Sequence, residues 1–172
     1  MVSENQKILK QRAESLAAAI PSAEQKGVCI PVLTFFLADE KYGLEAEYVD
    51  RVIALKRFTD IPCTPDYILG MINVQGEILA VLDIKKLFRL PDKGITNLNR
   101  VIVVGYEGIK FGILCDEVAG REEVPENEMQ AKLPNIAGIK SALIRGVTKD
   151  RLIIINTLEF FKDKRIIIDE KV

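Results

Sequence analysis

The feature that most constrains this chain is a pattern that occurs twice. Tyr42-Gly43-Leu44, followed by Glu47 and Val49, returns as Phe111-Gly112-Ile113, followed by Asp116 and Val118. Both read aromatic, Gly, aliphatic, two free positions, acid, one free position, Val. A second echo joins Leu79-Ala80-Val81-Leu82-Asp83, with Leu87-Phe88 behind it, to Leu152-Ile153-Ile154-Ile155-Asn156, with Phe160-Phe161 behind it. The offsets are 69 (111 − 42) and 73 (156 − 83). Two matches in the same order at nearly the same spacing describe two half-chains of similar design. A chain of 172 residues suits one domain, or two small ones sharing a core.

The local patterns say what those halves are. Residues 4–19 read as a helix: Ser3 is placed to cap it, and Ile8, Leu9, Arg12, Ala13 and Leu16 fall at helical spacing. Pro21 breaks it. Its apolar stripe is narrow and Ala-rich, which fits a surface helix laid on the domain or a detachable arm that docks on a partner. After Gly27 the period changes to that of strands, expected at 28–37, 42–44, 48–55, 72–74, 78–84, 118–124, 142–148 and 152–156, with a hairpin of 99–106 and 109–114 joined by Glu107-Gly108. In 48–55, Val49, Arg51 and Ile53 alternate with Tyr48, Asp50 and Val52. Residues 66–69 predict a helical turn, 158–163 a short terminal helix and 165–168 one more apolar strand. Many short strands at close spacing imply a barrel or sandwich, not a parallel α/β sheet. The reading is two small β-barrels packed together, with the groove between them as the place for a ligand.

Composition narrows the function. There is no His, so the commonest general base and metal ligand is missing, and Ser-His or Cys-His nucleophiles are impossible. Phosphate-binding glycine motifs and a GxSxG elbow are also missing. The acids Glu45, Glu47, Asp83, Asp116 and Glu117 offer carboxylates for acid-base work, but they lie beside strand ends, where carboxylates cap turns or face water. The acidic run 121–128 reads as a solvated loop. Lys+Arg (24) and Asp+Glu (25) nearly balance, at a net charge of −1, so nothing pulls the chain broadly toward nucleic acid or anionic lipid. Lys85-Lys86 and 162–165 are too sparse for a nucleic-acid patch. Cys29, Cys63 and Cys115 sit among apolar neighbours without a CxxC pair and read as buried thiols. The polar N-terminus and the lack of any long apolar run predict a cytoplasmic protein with no direct membrane insertion. No catalytic residue, cofactor or metal is expected. Such a chain acts by contact.

The segment 67–84, with Ile61-Pro62 and Pro65 before it, resembles the signature of the CheW-like domain, found in the adaptor of bacterial chemotaxis and at the end of the CheA histidine kinase. The family pattern runs Pro, hydrophobic, Gly, two hydrophobics, Asn, hydrophobic, Arg, Gly, then a strand ending in Asp-Leu; here it is Pro65, Ile68, Gly70, Met71-Ile72, Asn73, Val74, Gln75, Gly76 and Asp83-Ile84. Tyr42-Gly43, Phe111-Gly112 with Asp116 and Val118, and the closing strand 152–156 also fit, so the resemblance covers about 30–165. It implies a mainly β fold of two five-stranded SH3-like β-barrels around a shared core, with short helices including the N-terminal one. The expected organisation is an extension at 1–27 and a CheW-like domain at 28–172, with subdomains at roughly 28–90 and 91–165 that share strands.

The same resemblance implies a non-enzymatic scaffold. It would couple the cytoplasmic helical tip of a chemoreceptor to the regulatory domain of a CheA-type kinase, as a monomer in isolation, recruited to receptor arrays at the inner membrane. The implied receptor groove holds Val49, Arg51, Gly70, Gln75 and Ile102, with Ile72 among its apolar anchors. The implied kinase contact falls around Val118, Met129 and Ile136. The sequence departs from the family where its Arg is Gln75, where a commonly acidic position is Arg51, and where Ala80 replaces a Pro. An acid–Arg pair has become Arg–Gln, which makes the groove more basic on one strand. Two further readings stand beside this one: a diverged adaptor for a non-flagellar or non-chemoreceptor signalling array, and a small enzyme or ligand sensor using the groove.

Overall fold

The structure, a computed structural model, describes residues 28–91, 94–96, 98–130 and 142–163. The expected N-terminal helix, the strand at 165–168 and Ile136 lie outside them. The described residues form ten strands: β1 (Cys29–Leu37), β2 (Glu40–Glu45), β3 (Val49–Ala54), β4 (Ile68–Val74), β5 (Glu77–Leu82), β6 (Arg100–Tyr106), β7 (Ile109–Cys115), β8 (Glu117–Pro125), β9 (Ile144–Val147) and β10 (Ile153–Ile155). Two short helices, α1 (Ile84–Leu87) and α2 (Thr157–Lys162), follow β5 and β10. Tight turns join the hairpins. Gln75 (φ 53) with Gly76 (φ 92), and Glu107 (φ 48) with Gly108 (φ 81), supply the paired positive φ values of a type I′ turn.

The strands form two five-stranded sheets, in the orders β8-β1-β2-β10-β9 and β3-β6-β7-β5-β4. The duplication becomes geometry here, because each position in the first sheet has its counterpart in the second. Gly43 lies opposite Ile154 in the parallel β2–β10 pair, and Gly112 lies opposite Val81 in the parallel β7–β5 pair. A Cβ at Gly112 would stand 2.5 Å from Val101 Cγ1, and one at Gly43 3.0 Å from Ile154 Cδ1, so both copies of the motif keep the glycine. The irregularities repeat too. The β3–β6 ladder skips a residue between Val49 and Arg51, and the β8–β1 ladder skips one between Val118 and Gly120, 69 positions on (118 − 49). Asp83 caps α1, accepting the Lys85 N–H at 3.1 Å, and Asn156 stands at the same place before α2.

The sheets are not consecutive halves of the chain. After β2 the chain crosses over, and β3 pairs with β6 of the second sheet; after β7, β8 returns to pair with β1 of the first. Both sheets therefore take strands from either side of residue 90. Each sheet is fastened across its open edges by one bridge. Thr59, beyond β3, exchanges two backbone hydrogen bonds of 2.8 Å with Met71 on β4. Gln130, beyond β8, does the same with Val147 on β9 at 2.9 and 3.2 Å. Removing sheet edges in this way is how small β folds satisfy their backbone groups.

Three apolar clusters result. The largest lies between the sheets and takes Phe35, Tyr42 and Leu44 from one, Ile102, Phe111 and Ile113 from the other. Its aromatic spine runs from Phe35 through Tyr42 and Phe88 to Phe160. Smaller clusters fill the concave side of each sheet, around Val81, Val101 and Leu114 in the second and around Val32, Val124 and Ile154 in the first. Neither small cluster is large enough to hold a domain alone, which is why the two units share a centre.

Several local expectations are corrected. Residues 66–67 form a turn and β4 begins at Ile68, so 66–69 is not helical. The acidic run is mostly strand: 121–125 belong to β8, paired with β1, with Arg121, Glu122 and Glu123 facing water and Val124 buried. Of the three thiols, Cys115 is buried, Cys29 half-buried and Cys63 exposed in a turn at φ 62.

Candidate functional site

β3 is an edge strand of the second sheet, paired only with β6, and its burial alternates as the sequence pattern requires. Val49, Arg51 and Ile53 are half-buried, while Asp50, Val52 and Ala54 face solvent. Arg51 is held at both ends of its guanidinium. Nε donates to Asp50 Oδ2 at 2.9 Å, and Nη1 donates to Gln75 Oε1 at 2.8 Å. Gln75 is presented by the type I′ turn, whose shape Asn73 supports by accepting the Gly76 N–H at 2.8 Å. The Arg51–Gln75 bond spans from the first strand of the sheet to its last hairpin. It forms one end of a cleft of about 710 Å³, walled by the run from Arg51 to Arg57 on one side and Ile72 to Gln75 on the other.

Of the residues assigned to the groove, Arg51 and Gln75 line this cleft, and so does the apolar anchor Ile72. Val49 lies just behind them, half-buried against the shared core. Gly70 is buried beneath the Thr59 backbone, where a Cβ would overlap the Thr59 carbonyl oxygen. It brings β4 against the Thr59 backbone and so shapes the wall. Ile102 is corrected outright: it is 0% exposed in the shared core. β6 is a central strand, with Val101 and Val103 facing one apolar cluster and Ile102 and Val104 facing another, so no side of Ile102 is left for a ligand.

The residues assigned to the kinase side separate. Val118 lines a shallow depression along the seam between the sheets with Val52, Leu98, Arg100, Asp116 and Glu117. Met129 packs against the small cluster of the first sheet, next to the Gln130–Val147 bridge. Nothing in the described residues brings Val118 and Met129 to one surface pocket.

Sequence reasoning missed two features. Lys56 and Arg57, exposed beyond β3, complete a basic rim on the cleft; only the loop's return onto β4 reveals that they line it opposite Asn73 and Gln75. The other is Lys85, which looked like a surface residue and is 1% exposed. Its Nζ donates to Asp116 Oδ1 at 2.7 Å. Asp116 also accepts the Ala38 N–H at 2.7 Å and Asn99 Nδ2 at 3.2 Å, tying the β1–β2 turn of one sheet to the other. Glu45 is committed as well. Glu45 is nearly buried and accepts from Arg145 Nη1 at 2.9 Å, and desolvation raises its pKa against the pull of that guanidinium. Burial pushes the Cys115 thiol up to about 12. Among the described residues no group of three His, Cys, Asp or Glu is placed to hold a metal ion, and no helix is long and apolar enough to cross a membrane.

Comparison with known proteins gives concordant results. Residues 31–164 match the CheW-like domain. The chain is 28% identical to the chemotaxis protein CheW of Treponema pallidum, over 78% of its own length and 84% of that protein's. It is 24% identical to protein PilI of Pseudomonas aeruginosa, over 81% and 78% of the two chains. The crystal structure of the scaffolding protein TtCheW from Thermoanaerobacter tengcongensis superimposes with a TM-score of 0.66 at 34% identity, covering 74% of this chain and 88% of that one.

Proposed function

This chain belongs to the CheW-like domain family, and from that premise we propose that it joins the cytoplasmic tip of a chemoreceptor to the regulatory domain of a CheA-type histidine kinase. That it is a CheW-type scaffold or adaptor of chemotaxis follows from the family; the two partners are the finer reading. The observation that carries this reading is the Arg51–Gln75 hydrogen bond. Two of the three positions at which the chain departs from the family pattern, Arg51 and Gln75, meet in a hydrogen bond across the cleft, with Gln75 as a neutral acceptor. A cleft end closed by such a pair, with altered charge, fits an adaptor that docks the same kind of element.

In this account the receptor element lies along β3 and the β4–β5 hairpin, using Ile53, Leu55, Ile72 and Val74 as apolar contacts. Val118, which lies beside Val52, belongs with that side. The kinase meets the first sheet near Met129; Ile136, assigned to the same contact, lies outside the described residues. Work is done by contact and not by catalysis, at receptor arrays on the cytoplasmic face of the inner membrane.

The test is a pair of titrations of the full chain, against a chemoreceptor cytoplasmic fragment and against a kinase regulatory domain. Arg51→Ala should weaken receptor binding about tenfold and leave kinase binding within about twofold; Met129→Glu should do the reverse. Wild-type affinity of both variants for both partners would overturn the assignment.

A further inference from the structure

The chain carries a net charge of only −1, yet its cleft is lined by three cations and no carboxylate. Arg51, Lys56 and Arg57 stand around an apolar floor of Ile53, Leu55, Ile72 and Val74; the other polar lining residues, Asn73 and Gln75, are neutral. Arg51 is partly neutralised by Asp50. Lys56 and Arg57 make no ion pair with any described residue.

The internal duplication shows that this basicity is not a consequence of the fold. The equivalents of Arg51, Lys56 and Arg57, 69 positions on (118 − 49), are Gly120 and Pro125 of β8 and Glu126 just beyond it, and β8 also carries Glu117, Glu122 and Glu123 beside one cation, Arg121. The same backbone thus carries Arg51, Lys56 and Arg57 on and just beyond β3, beside the one acid Asp50, and Glu117, Glu122, Glu123 and Glu126 on and just beyond β8. Exposed cations held around an apolar floor, on one of two otherwise equivalent edges, match a ligand that brings both apolar and anionic groups.

Resting on the adaptor reading above, we propose that the cleft seats an acidic partner segment, one whose apolar side chains meet Ile53, Leu55 and Val74 while its carboxylates pair with Lys56, Arg57 and Arg51. Lys56 and Arg57 select the partner by charge. The apolar floor supplies most of the affinity.

The probes are two synthetic peptides of roughly four helical turns with the same leucine stripe, one flanked by glutamates and the other by lysines. Binding to the full chain is read by fluorescence anisotropy at low and at high salt. The glutamate peptide should bind about tenfold tighter than the lysine peptide at low salt, with the difference shrinking as salt rises. In the double variant K56E/R57E, which changes only exposed side chains, the preference should vanish or invert. Equal binding of both peptides, or a preference that survives in the variant, overturns the proposal. So does a concentration-dependent self-association that K56E/R57E abolishes while peptide binding is unaffected, because the occupant is then a second copy. A chemoreceptor fragment separates the two readings. If it binds wild type and K56E/R57E equally, the acidic-partner proposal falls and the adaptor reading stands. If it fails to bind wild type while the glutamate preference holds, the adaptor reading falls and this one stands.

Discussion

Gly70 and Gly146 occupy the same place in the two sheets, next to the bridges that fasten them, but they are not equally replaceable. Gly70 has φ +153, a conformation that L residues rarely adopt, and a Cβ there would overlap the Thr59 carbonyl oxygen and lie 3.2 Å from Phe58 Cδ2. The Thr59 backbone cannot retreat without losing both 2.8 Å hydrogen bonds to Met71. Gly146 is not in the left-handed region, and a Cβ there would meet Gln130 O at 3.0 Å and Met129 Cβ at 3.2 Å. For Gly70→Ala, backbone strain costs about 1–3 kcal/mol and the bridge bonds about 1 kcal/mol each. A loss of roughly 3 kcal/mol or more is expected, or about 6–12 °C in Tm for a chain of this size. Gly146→Ala should cost about 1 kcal/mol, because a shift of a few tenths of an ångström relieves it. Urea unfolding of the two variants beside wild type measures both. Equal losses, or a Gly70→Ala loss below about 1 kcal/mol, would refute the claim that the Thr59–Met71 bridge is a rigid fastening of the second sheet.

Three further outcomes follow from single side chains. Lys85→Met should destabilise the fold by about 3 kcal/mol in urea unfolding, since it strips a buried partner from Asp116, which is itself mostly buried. Arg51→Ala and Gln75→Ala should each change stability by less than about 0.5 kcal/mol, because both side chains are substantially exposed; their effect belongs in binding. A thiol reagent at pH 8 should label Cys63 within the dead time and leave Cys115 unlabelled until urea unfolds the chain, because burial holds that thiol protonated. Rapid labelling of Cys115 in the native state would contradict the closed shared core.

The ten strands of the described residues are legible as short β-branched or alternating runs, except for the start of β4, where 66–69 reads as a helical turn, and the duplication itself announces two equivalent units. The exchange of β3 and β8 between sheets is not legible, because strand pairing is set by contacts 46 (100 − 54) to 96 (125 − 29) positions apart, such as Val49 with Val104 and Phe35 with Val118, and a local pattern carries no record of them. Ile102 is assigned to the groove by resemblance, and its own strand shows no sign of an exposed face. One-sided alternation is the mark of a half-buried strand, whereas β6 is covered on both faces and reads as a plain apolar run. The four-residue helix α1 is too short to show a period, so Lys85 looked like a solvated lysine; its partner Asp116 is 31 positions away. At the cleft, the motif located Arg51 and Gln75. Lys56 and Arg57 joined them only because the loop beyond β3 folds back to bridge β4.

The central claim is that this chain holds a receptor and a kinase at once, and co-sedimentation tests it most directly. A membrane-tethered chemoreceptor fragment is mixed with a kinase regulatory domain, with and without the full chain. The account predicts that the kinase domain sediments with the receptor only when the chain is present, and that both Arg51→Ala and Met129→Glu diminish its recovery. Kinase recovery independent of the chain, or a chain that sediments with one partner only when the other is absent, would contradict it.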